Sequence, residues 1–298
     1  MIAMEEGYIS VTGGNIYYKK VGVGPKLPLI LLHGGPGGTH RSMKALEALG
    51  DERTVIFYDQ LGSGRSDHPT DPSLWHIERF VDELAQIREA LDLQQLHILG
   101  HSWGTMLAAS YLLTQPQGVH SIIFSGPCLS APQWAKDQEE HRKALPVDVQ
   151  KTLEKCEKLG MTDSEEYKAA VKVFNKHFVN RFGKKPKEPR PKEAQSNEEV
   201  YHTMWGPSEF YTTGNLKSFD VTDRLSEIRI PALFTCGRYD EATPATTESY
   251  SKKLPGSQLH VFEKSAHVPY IEEPEEYRRV IRQFLHDVEM NERRVKGL

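Results

Sequence analysis

The nine residues LHILGHSWG at positions 96–104 contain a change from one secondary structure to another. An apolar run ends at Leu99, the pattern G-x-S-x-G follows at once, and a helical apolar pattern continues from Trp103 to about Thr114. A strand, a sharp turn and a helix in this order place the serine at the tip of the turn. Glycines permit such a turn because they have no Cβ to crowd the serine. Ser102 is therefore predicted to be a nucleophile.

Short apolar runs recur on both sides of this turn and are typical of strands buried on both faces of a sheet. They are residues 16–20, 29–32, 54–58, 96–99, 121–124, 232–236 and 258–262. Helical patterns cover residues 80–91 and 103–114, and a C-terminal helix is predicted for residues 274–288. Strands that alternate with helices indicate βαβ units and a mostly parallel sheet. The predicted fold class is α/β.

The sheet pattern is interrupted between residues 131 and 219, where charged helical stretches such as 150–159 and 165–178 replace the strands. We predict a core domain from residues 1–130 and 220–298, and a helical cap domain inserted at residues 131–219. Within the cap, residues 181–192 are basic and proline-rich, which predicts an extended, solvated loop.

The composition excludes several partners. The chain has 298 residues and a formal net charge of −4, which gives no general attraction to nucleic acid. None of its apolar runs is long enough to span a bilayer. Cys128, Cys156 and Cys236 have neither the number of a disulfide framework nor the spacing of a zinc site. With no basic and apolar leader at the N-terminus, we expect a cytoplasmic protein. The oligomeric state stays open.

A serine nucleophile needs a base and an acid, and in a strand–turn–helix arrangement of this kind they follow in the order acid, then histidine. Asp240 lies just past the run at 232–236, and His267 just past the run at 258–262. The carboxyl ends of parallel strands gather active-site groups at one edge of a sheet. We therefore predict Asp240 and His267 as the partners of Ser102. Asp220 and Asp223 are rival acids, but they precede the strand.

The glycine-rich residues 33–38, HGGPGG, directly follow the predicted strand at 29–32. Glycines let the main chain turn its N–H groups towards a substrate oxygen. We predict that the N–H groups of Gly35 and Trp103 form an oxyanion hole. A phosphate-binding loop is the alternative, but the Lys-Ser/Thr ending of a P-loop is missing.

Five motifs together resemble the proline iminopeptidases (prolyl aminopeptidases), a family of serine peptidases with the α/β-hydrolase fold. They are HGGPGG at 33–38, YDQLGSGRS at 58–66, GHSWG at 100–104, GRYDE at 237–241 and SAH at 265–267. The resemblance implies a helical cap over the α/β-hydrolase core. It also implies hydrolysis of the bond after an unblocked N-terminal residue, often proline, with no metal or organic cofactor. Small peptides or aminoacyl amides with a free N-terminus would be the substrates.

The resemblance also assigns substrate-binding residues. Glu209 and Glu241 match the positions that hold the α-ammonium group of the substrate, which needs carboxylate partners when it is buried. Tyr201, Trp205 and Phe210 either wall an apolar subsite for a pyrrolidine ring or belong to the core of the cap. An amino acid amidase, a carboxylesterase and a non-catalytic binding protein remain as alternatives, because the same scaffold serves all three.

Overall fold

The computed structural model describes residues 3–182 and 195–296. Its strands are β1 (Met4–Val11), β2 (Gly14–Val21), β3 (Lys26–Leu32), β4 (Arg53–Tyr58), β5 (Leu96–His101), β6 (Val119–Ser125), β7 (Ala232–Gly237) and β8 (Gln258–Phe262). They form one sheet in the order β1-β2-β4-β3-β5-β6-β7-β8. β2 pairs antiparallel with β1 and β4, and the remaining neighbours are parallel. The predicted mostly parallel sheet is confirmed.

β1 is the strand that the apolar pattern did not predict. Its sequence MEEGYISV carries two glutamates, and only Ile9 and Val11 are buried. The strand lies at the edge of the sheet and pairs with β2 along its whole length. An edge strand needs fewer apolar residues than a central one, because solvent reaches much of its surface. Its pairing with β2 is a tertiary contact that the local sequence does not contain.

The helices are α1 (Ile77–Ala90), α2 (Trp103–Leu112), α3 (Ala131–Lys143), α4 (Val147–Lys158), α5 (Glu165–Phe178), α6 (Glu198–Met204), α7 (Pro244–Lys253), α8 (Pro269–Glu272) and α9 (Pro274–Lys296). In β3, Ile30 and Leu32 pack on one face of the sheet with α1, α2 and α7. Leu29 and Leu31 pack on the other face with α9 and a 3₁₀ segment, His40–Asp51. Both faces are covered, which is why the central strands are continuously apolar. None of the described helices is long and apolar enough to cross a membrane.

Helices α3 to α6 lie within the predicted insertion; α4 and α5 form a small apolar core of their own, whereas the buried apolar residues of α3 and α6 pack in the main core. The chain enters and leaves this unit side by side: the N–H of Ala131 donates to Phe219 O at 2.8 Å, and the N–H of Val221 donates to Leu129 O at 3.0 Å. We propose residues 131–219 as the cap domain on this basis. The loop predicted at residues 181–192 lies outside the described residues beyond position 182.

A buried ion pair joins the C-terminal helix to the sheet. The Arg53 side chain is fully buried, and its Nη1 donates to Glu289 Oε1 at 2.8 Å and to Leu27 O at 2.9 Å. His97 lies 3.2 Å from the same carboxylate oxygen. Burial alone would raise the pKa of Glu289, but the hydrogen bonds from His97 and Arg53 lower it to about 2.

We predict that Glu289→Ala lowers the free energy of unfolding by about 3–5 kcal/mol, because it removes the 2.8 Å partner of the buried Arg53 charge and leaves only the longer contact of Arg53 Nε with Glu52 Oε1, at 3.3 Å. Urea unfolding measures this loss. The pair should stabilise the wild type above the ordinary glutamate pKa and lose its effect as the pH falls towards the folded-state pKa of about 2. Glu275→Ala is the control: this side chain lies in the same helix but is 88% exposed. Equal midpoints for the two variants would contradict the prediction.

Candidate active site

Ser102 occupies a sharp turn between β5 and α2. Its backbone has φ 54° and ψ −122°, a conformation that L residues rarely adopt. The turn is possible because its neighbours are glycines. A Cβ on Gly100 would collide with the carbonyl of Gly104, and a Cβ on Gly104 would collide with the carbonyl of Leu32. The N–H of Ser102 donates to Ser125 O at 3.0 Å, which fastens the turn to β6.

The two predicted oxyanion donors lie beside this serine. Gly35, Ser102 and Trp103 line the same small pocket. Trp103 is the first residue of α2, and the first N–H groups of a helix have no acceptor within the helix. The glycine-rich loop rests against the serine, because a Cβ on Gly34 would lie 3.2 Å from Ser102 Cβ. The position suits an oxyanion hole, and that role stays a prediction.

Gln60 links the glycine-rich loop to the turn. Its Oε1 accepts a hydrogen bond from Trp103 Nε1 at 2.8 Å, and its main-chain N–H donates to His33 Nε2 at 3.1 Å. Burial lowers the pKa of His33, so the neutral imidazole is available as the acceptor. The two histidines of the motifs therefore support the main chain: His101 donates from Nε2 to His267 O at 2.8 Å, and burial lowers its pKa to about 3.

Asp240 and His267 form a buried pair. Nδ1 of His267 lies 2.7 Å from Oδ1 of Asp240, and both side chains are almost fully buried. The carboxylate is itself held by main-chain N–H groups, from Ala242 at 2.8 Å and from Gly237 at 3.2 Å. A carboxylate fixed at Nδ1 keeps the proton on that nitrogen and leaves Nε2 as the basic atom.

The rival acids have other partners. Asp220 accepts hydrogen bonds from the Ser130 and Thr222 hydroxyls, both at 2.7 Å, at the point where the cap rejoins the core. Asp223 is exposed and pairs with Lys253 at 3.2 Å. Among the described residues, His267 pairs with Asp240 and makes no contact with either rival acid.

Burial and nearby charges have opposite effects on the pKa of His267. Burial lowers the pKa of the imidazole, but the charge and hydrogen bond of Asp240, helped by Glu209 and Glu272, raise it above the usual value. Nε2 has no hydrogen-bond partner among the described residues, Ser102 included. A carboxylate oxygen of Glu241, Oε1, lies 3.5 Å from this nitrogen.

Two further carboxyl groups, those of Glu209 and Glu241, lie close enough to this imidazole to act on it by charge or by contact. Glu241 is fully buried, and neither of its oxygens has a hydrogen-bond partner among the described residues. Burial, together with the nearby charges of Glu209 and Asp240, raises its pKa well above the usual value. Glu209 lines the pocket and accepts a hydrogen bond from the Tyr201 hydroxyl. Buried carboxyls without a cation are costly, so the geometry favours a cationic ligand.

One face of α3 holds the main chain of all three acidic residues. Trp134 Nε1 donates to Glu209 O at 2.8 Å, Gln138 Nε2 donates to Glu241 O at 2.9 Å, and His141 Nε2 lies 3.2 Å from Asp240 O. Residues spaced by four and then three positions share one face of a helix. The sequence analysis did not identify these residues. Their spacing was visible, but their acceptors lie 75 to 103 residues further along the chain.

The three aromatic residues predicted for the subsite have different surroundings. Trp205 lines the pocket, and its ring stands at 86° to that of Trp134, 6.1 Å away. The Trp134 ring is also 6.0 Å from the imidazole of His267. Phe210 instead packs in the cap core, 4.6 Å from Phe174. Of the three predicted aromatics, Trp205 lines the pocket, Tyr201 contacts Glu209, and Phe210 belongs to the cap core.

The fold and this site define a class. The family model described as alpha/beta hydrolase fold matches residues 28–274. A proline iminopeptidase from Heyndrickxia coagulans is 58% identical over 286 residues, 95% of this chain and 99% of that protein. The crystal structure of a proline iminopeptidase from Mycobacterium smegmatis has a TM-score of 0.85 at 33% identity, over 96% of this chain and 99% of that one. The crystal structure of VinJ has a TM-score of 0.89 at 34% identity and covers 95% of this chain and 99% of that one. The chain belongs to the proline iminopeptidase family of α/β hydrolases.

Gly126, just after β6, leaves room for the His267 ring. Its φ is 57°, and an added Cβ would lie 2.7 Å from Cε1 and 2.8 Å from Nδ1 of that imidazole. Gly126→Ala should therefore displace the ring and lower kcat on a chromogenic ester by about 10²-fold, the scale expected for a misplacement of about 1 Å.

Gly160→Ala is a matched control for this variant. Gly160 has a similar φ of 67°, but an added Cβ would meet nothing within 4 Å. Both variants carry the cost of a left-handed backbone, and Gly126→Ala adds the collision with the buried imidazole, so its thermal midpoint should fall at least as far as that of Gly160→Ala. Only Gly126→Ala should lose activity. Similar kcat values for the two would mean that Gly126 does not control the position of the imidazole.

Proposed function

We propose that this protein is a serine aminopeptidase that releases an unblocked N-terminal residue, preferably proline, from small peptides or aminoacyl amides. Membership of the proline iminopeptidase family supports this activity. The observation that carries the proposal is the buried Glu241 carboxyl, which lacks a hydrogen-bond partner among the described residues and lies 3.5 Å from His267 Nε2. A cation bound there would be adjacent to the reacting carbonyl, as an N-terminal ammonium group is.

The proposed reaction proceeds through an acyl-enzyme. Ser102 Oγ attacks the carbonyl carbon of the N-terminal residue while His267 Nε2 accepts the hydroxyl proton. Asp240 orients the imidazole and stabilises its cation, and the N–H groups of Gly35 and Trp103 stabilise the oxyanion. His267 then donates the proton to the leaving amine. Water, deprotonated by the same histidine, releases the acyl group and restores Ser102.

The requirement for a free amine follows from desolvation. An ammonium group that enters the pocket loses its hydration, and Glu209 and Glu241 replace that hydration with charge-assisted hydrogen bonds. An N-acyl substrate brings no cation and would leave the buried Glu241 carboxyl without a partner among the described residues. Trp134 and Trp205 offer apolar ring faces in the same pocket, which suits the carbons of a pyrrolidine ring.

The state of the cysteines bears on the cellular compartment of the protein. Cys128, Cys156 and Cys236 are all buried free thiols. Unpaired cysteines are typical of proteins in a reducing compartment. We infer that the protein works in the cytoplasm. Cell fractionation followed by detection with an antibody against this protein would test the inference.

Ser102→Ala should lower kcat for a prolyl-arylamide by about 10³-fold or more, because the attacking oxygen is lost while the binding groups remain. Release of the arylamine measures this directly. Circular dichroism and the thermal midpoint should stay near those of the wild type, since the side chain lies at a turn outside the apolar core. Retention of wild-type turnover would exclude Ser102 as the nucleophile.

The free-amine requirement gives a second prediction. Prolyl-arylamide should be cleaved and its N-acetyl form should not. Glu209→Gln and Glu241→Gln should each weaken kcat/KM for the prolyl-arylamide by about 2–5 kcal/mol, the range for losing one partner of a buried charged pair.

A neutral aryl acetate serves as the control substrate, because it has no ammonium group to lose. Glu209→Gln should have much less effect on its cleavage than on that of the arylamide. Equal losses on both substrates would mean that the substitution damages the site in general. Cleavage of N-acetyl substrates, with no loss in either variant, would favour an esterase or amidase instead.

A further inference from the structure

One carboxylate oxygen of the proposed ammonium-binding site lies close to the nitrogen of the proposed base. Glu241 Oε1 lies 3.5 Å from His267 Nε2. Neither atom has a hydrogen-bond partner among the described residues, and both side chains are buried. The nitrogen that has to accept the Ser102 proton is therefore next to an acid that has no other partner in the free protein.

Six further titratable groups interact electrostatically with this pair or with its neighbours, and three of them are carboxyls. They are Asp240 from the same loop, Glu209 and Tyr201 from the cap, Glu272 from α8, His101 from β5 and Cys128 after β6. Burial keeps His101 neutral, and Cys128 is held as a thiol because burial raises its pKa. Burial and the neighbouring charge of Glu209 both disfavour ionisation of Glu241, so without a bound cation a proton is expected to stay on Glu241 or on the adjacent His267.

We propose that Glu241 and His267 share one proton between Oε1 and Nε2 in the free protein, and that the ammonium group of the substrate displaces this proton and so activates the base. The inference rests on the proposed function, since it requires that an ammonium group binds at Glu241. It makes Glu241 a residue that controls the base as well as a substrate-binding residue.

The proton balance of the step is simple. Before binding, the proton sits on Oε1 or on Nε2, and in either place it prevents Nε2 from accepting the proton of Ser102. The bound ammonium group then supplies the positive charge that Glu241 and Glu209 require. The displaced proton leaves to solvent, and Nε2 becomes a free base. One cation enters and one proton leaves, so the charge of the pocket is unchanged.

The directions of the pKa shifts agree with this arrangement. The pKa of His267 is raised by the surrounding carboxylates against the effect of burial, and burial raises that of Glu241 well above the usual value. Both directions favour retention of a proton. A neighbouring ammonium group would lower both pKa values, because like charges repel and a carboxylate is stabilised by a cation.

Selection for free amines therefore acts on turnover as well as on affinity. A neutral ester can enter the pocket, but it leaves the proton in place and meets a blocked base at mildly acidic pH. For prolyl-arylamide, the acidic limb of kcat should lie at lower pH than that of kcat/KM, because the first reports the complex and the second the free protein.

The first test is the pH profile of 4-nitrophenyl acetate hydrolysis. Glu241→Gln removes the acid at Nε2, so its acidic limb should move down by about one pH unit or more, and its rate below that limb should exceed the wild-type rate about tenfold. Glu209→Gln is the matched control. Glu209 also raises the pKa of His267 by its charge, but among the described residues Glu241 is the one with a carboxylate oxygen within 4 Å of Nε2, so the shift for Glu209→Gln should be smaller.

The results separate the two proposals. If the acidic limb of Glu241→Gln coincides with that of the wild type, proton sharing is overturned, even where prolyl-arylamide cleavage is lost and the aminopeptidase assignment stands. If Glu241→Gln cleaves prolyl-arylamide as the wild type does, the proposed ammonium site fails, and this inference fails with it.

A second measurement does not depend on the folding of the Glu241 variant. Ser102→Ala binds but does not cleave prolinamide, and calorimetric titration in two buffers of different ionisation enthalpy counts the protons exchanged. At a pH below the acidic limb of the free protein, about one proton should be released for each prolinamide bound. Binding without proton release would overturn the inference.

Discussion

Two adjacent residues, Asp240 and Glu241, contact opposite nitrogens of one imidazole. Asp240 lies 2.7 Å from Nδ1 of His267, and Glu241 lies 3.5 Å from Nε2. The loop after β7 therefore both orients the base and brings a second acid to its reactive side. Such a concentration of buried carboxyls around one histidine is unfavourable without a cation, and most of the surrounding structure serves to maintain it.

The first helix of the cap supplies much of that support. Trp134, Gln138 and His141 lie on one face of α3, and each contacts the main-chain oxygen of an acidic residue of the site. Bonds to main-chain oxygens leave the carboxyls themselves free for the histidine and the substrate. Asp137 adds to the attachment, since its carboxylate accepts from the Thr246 hydroxyl at 2.6 Å at the start of α7. Helix α3 thus positions the main chain of the loop that carries Asp240 and Glu241.

The sequence predicted those parts of the site that depend on local order. Ser102 is predicted because a strand, a glycine turn and a helix follow one another within a few residues, and Asp240 and His267 because each lies just past an apolar strand; the structure brings Asp240 and His267 into contact. The contacts of α3 could not be found in this way, since they join residues far apart in the chain. The same limit applies to β1, whose pairing is tertiary, and to Phe210, whose neighbours come from α5. The distance between Glu241 Oε1 and His267 Nε2 depends on how the loop after β7 packs against the loop after β8, which the local sequence does not determine.

The paired entry and exit of the cap have a consequence for how such a protein can change over generations. Ser130 and Asp220 lie side by side, with the Ser130 hydroxyl donating to the Asp220 carboxylate at 2.7 Å. A segment whose two ends meet can be lengthened, shortened or exchanged while the path from β6 to β7 stays the same. Helix α3 and the end of α5 limit this freedom, because the N–H groups of Glu241 and His267 donate to Phe178 O and Val179 O, both at 3.1 Å. New substrate ranges can therefore arise by remodelling the parts of the segment that make no such contacts, while Ser102, His267 and the sheet remain as they are.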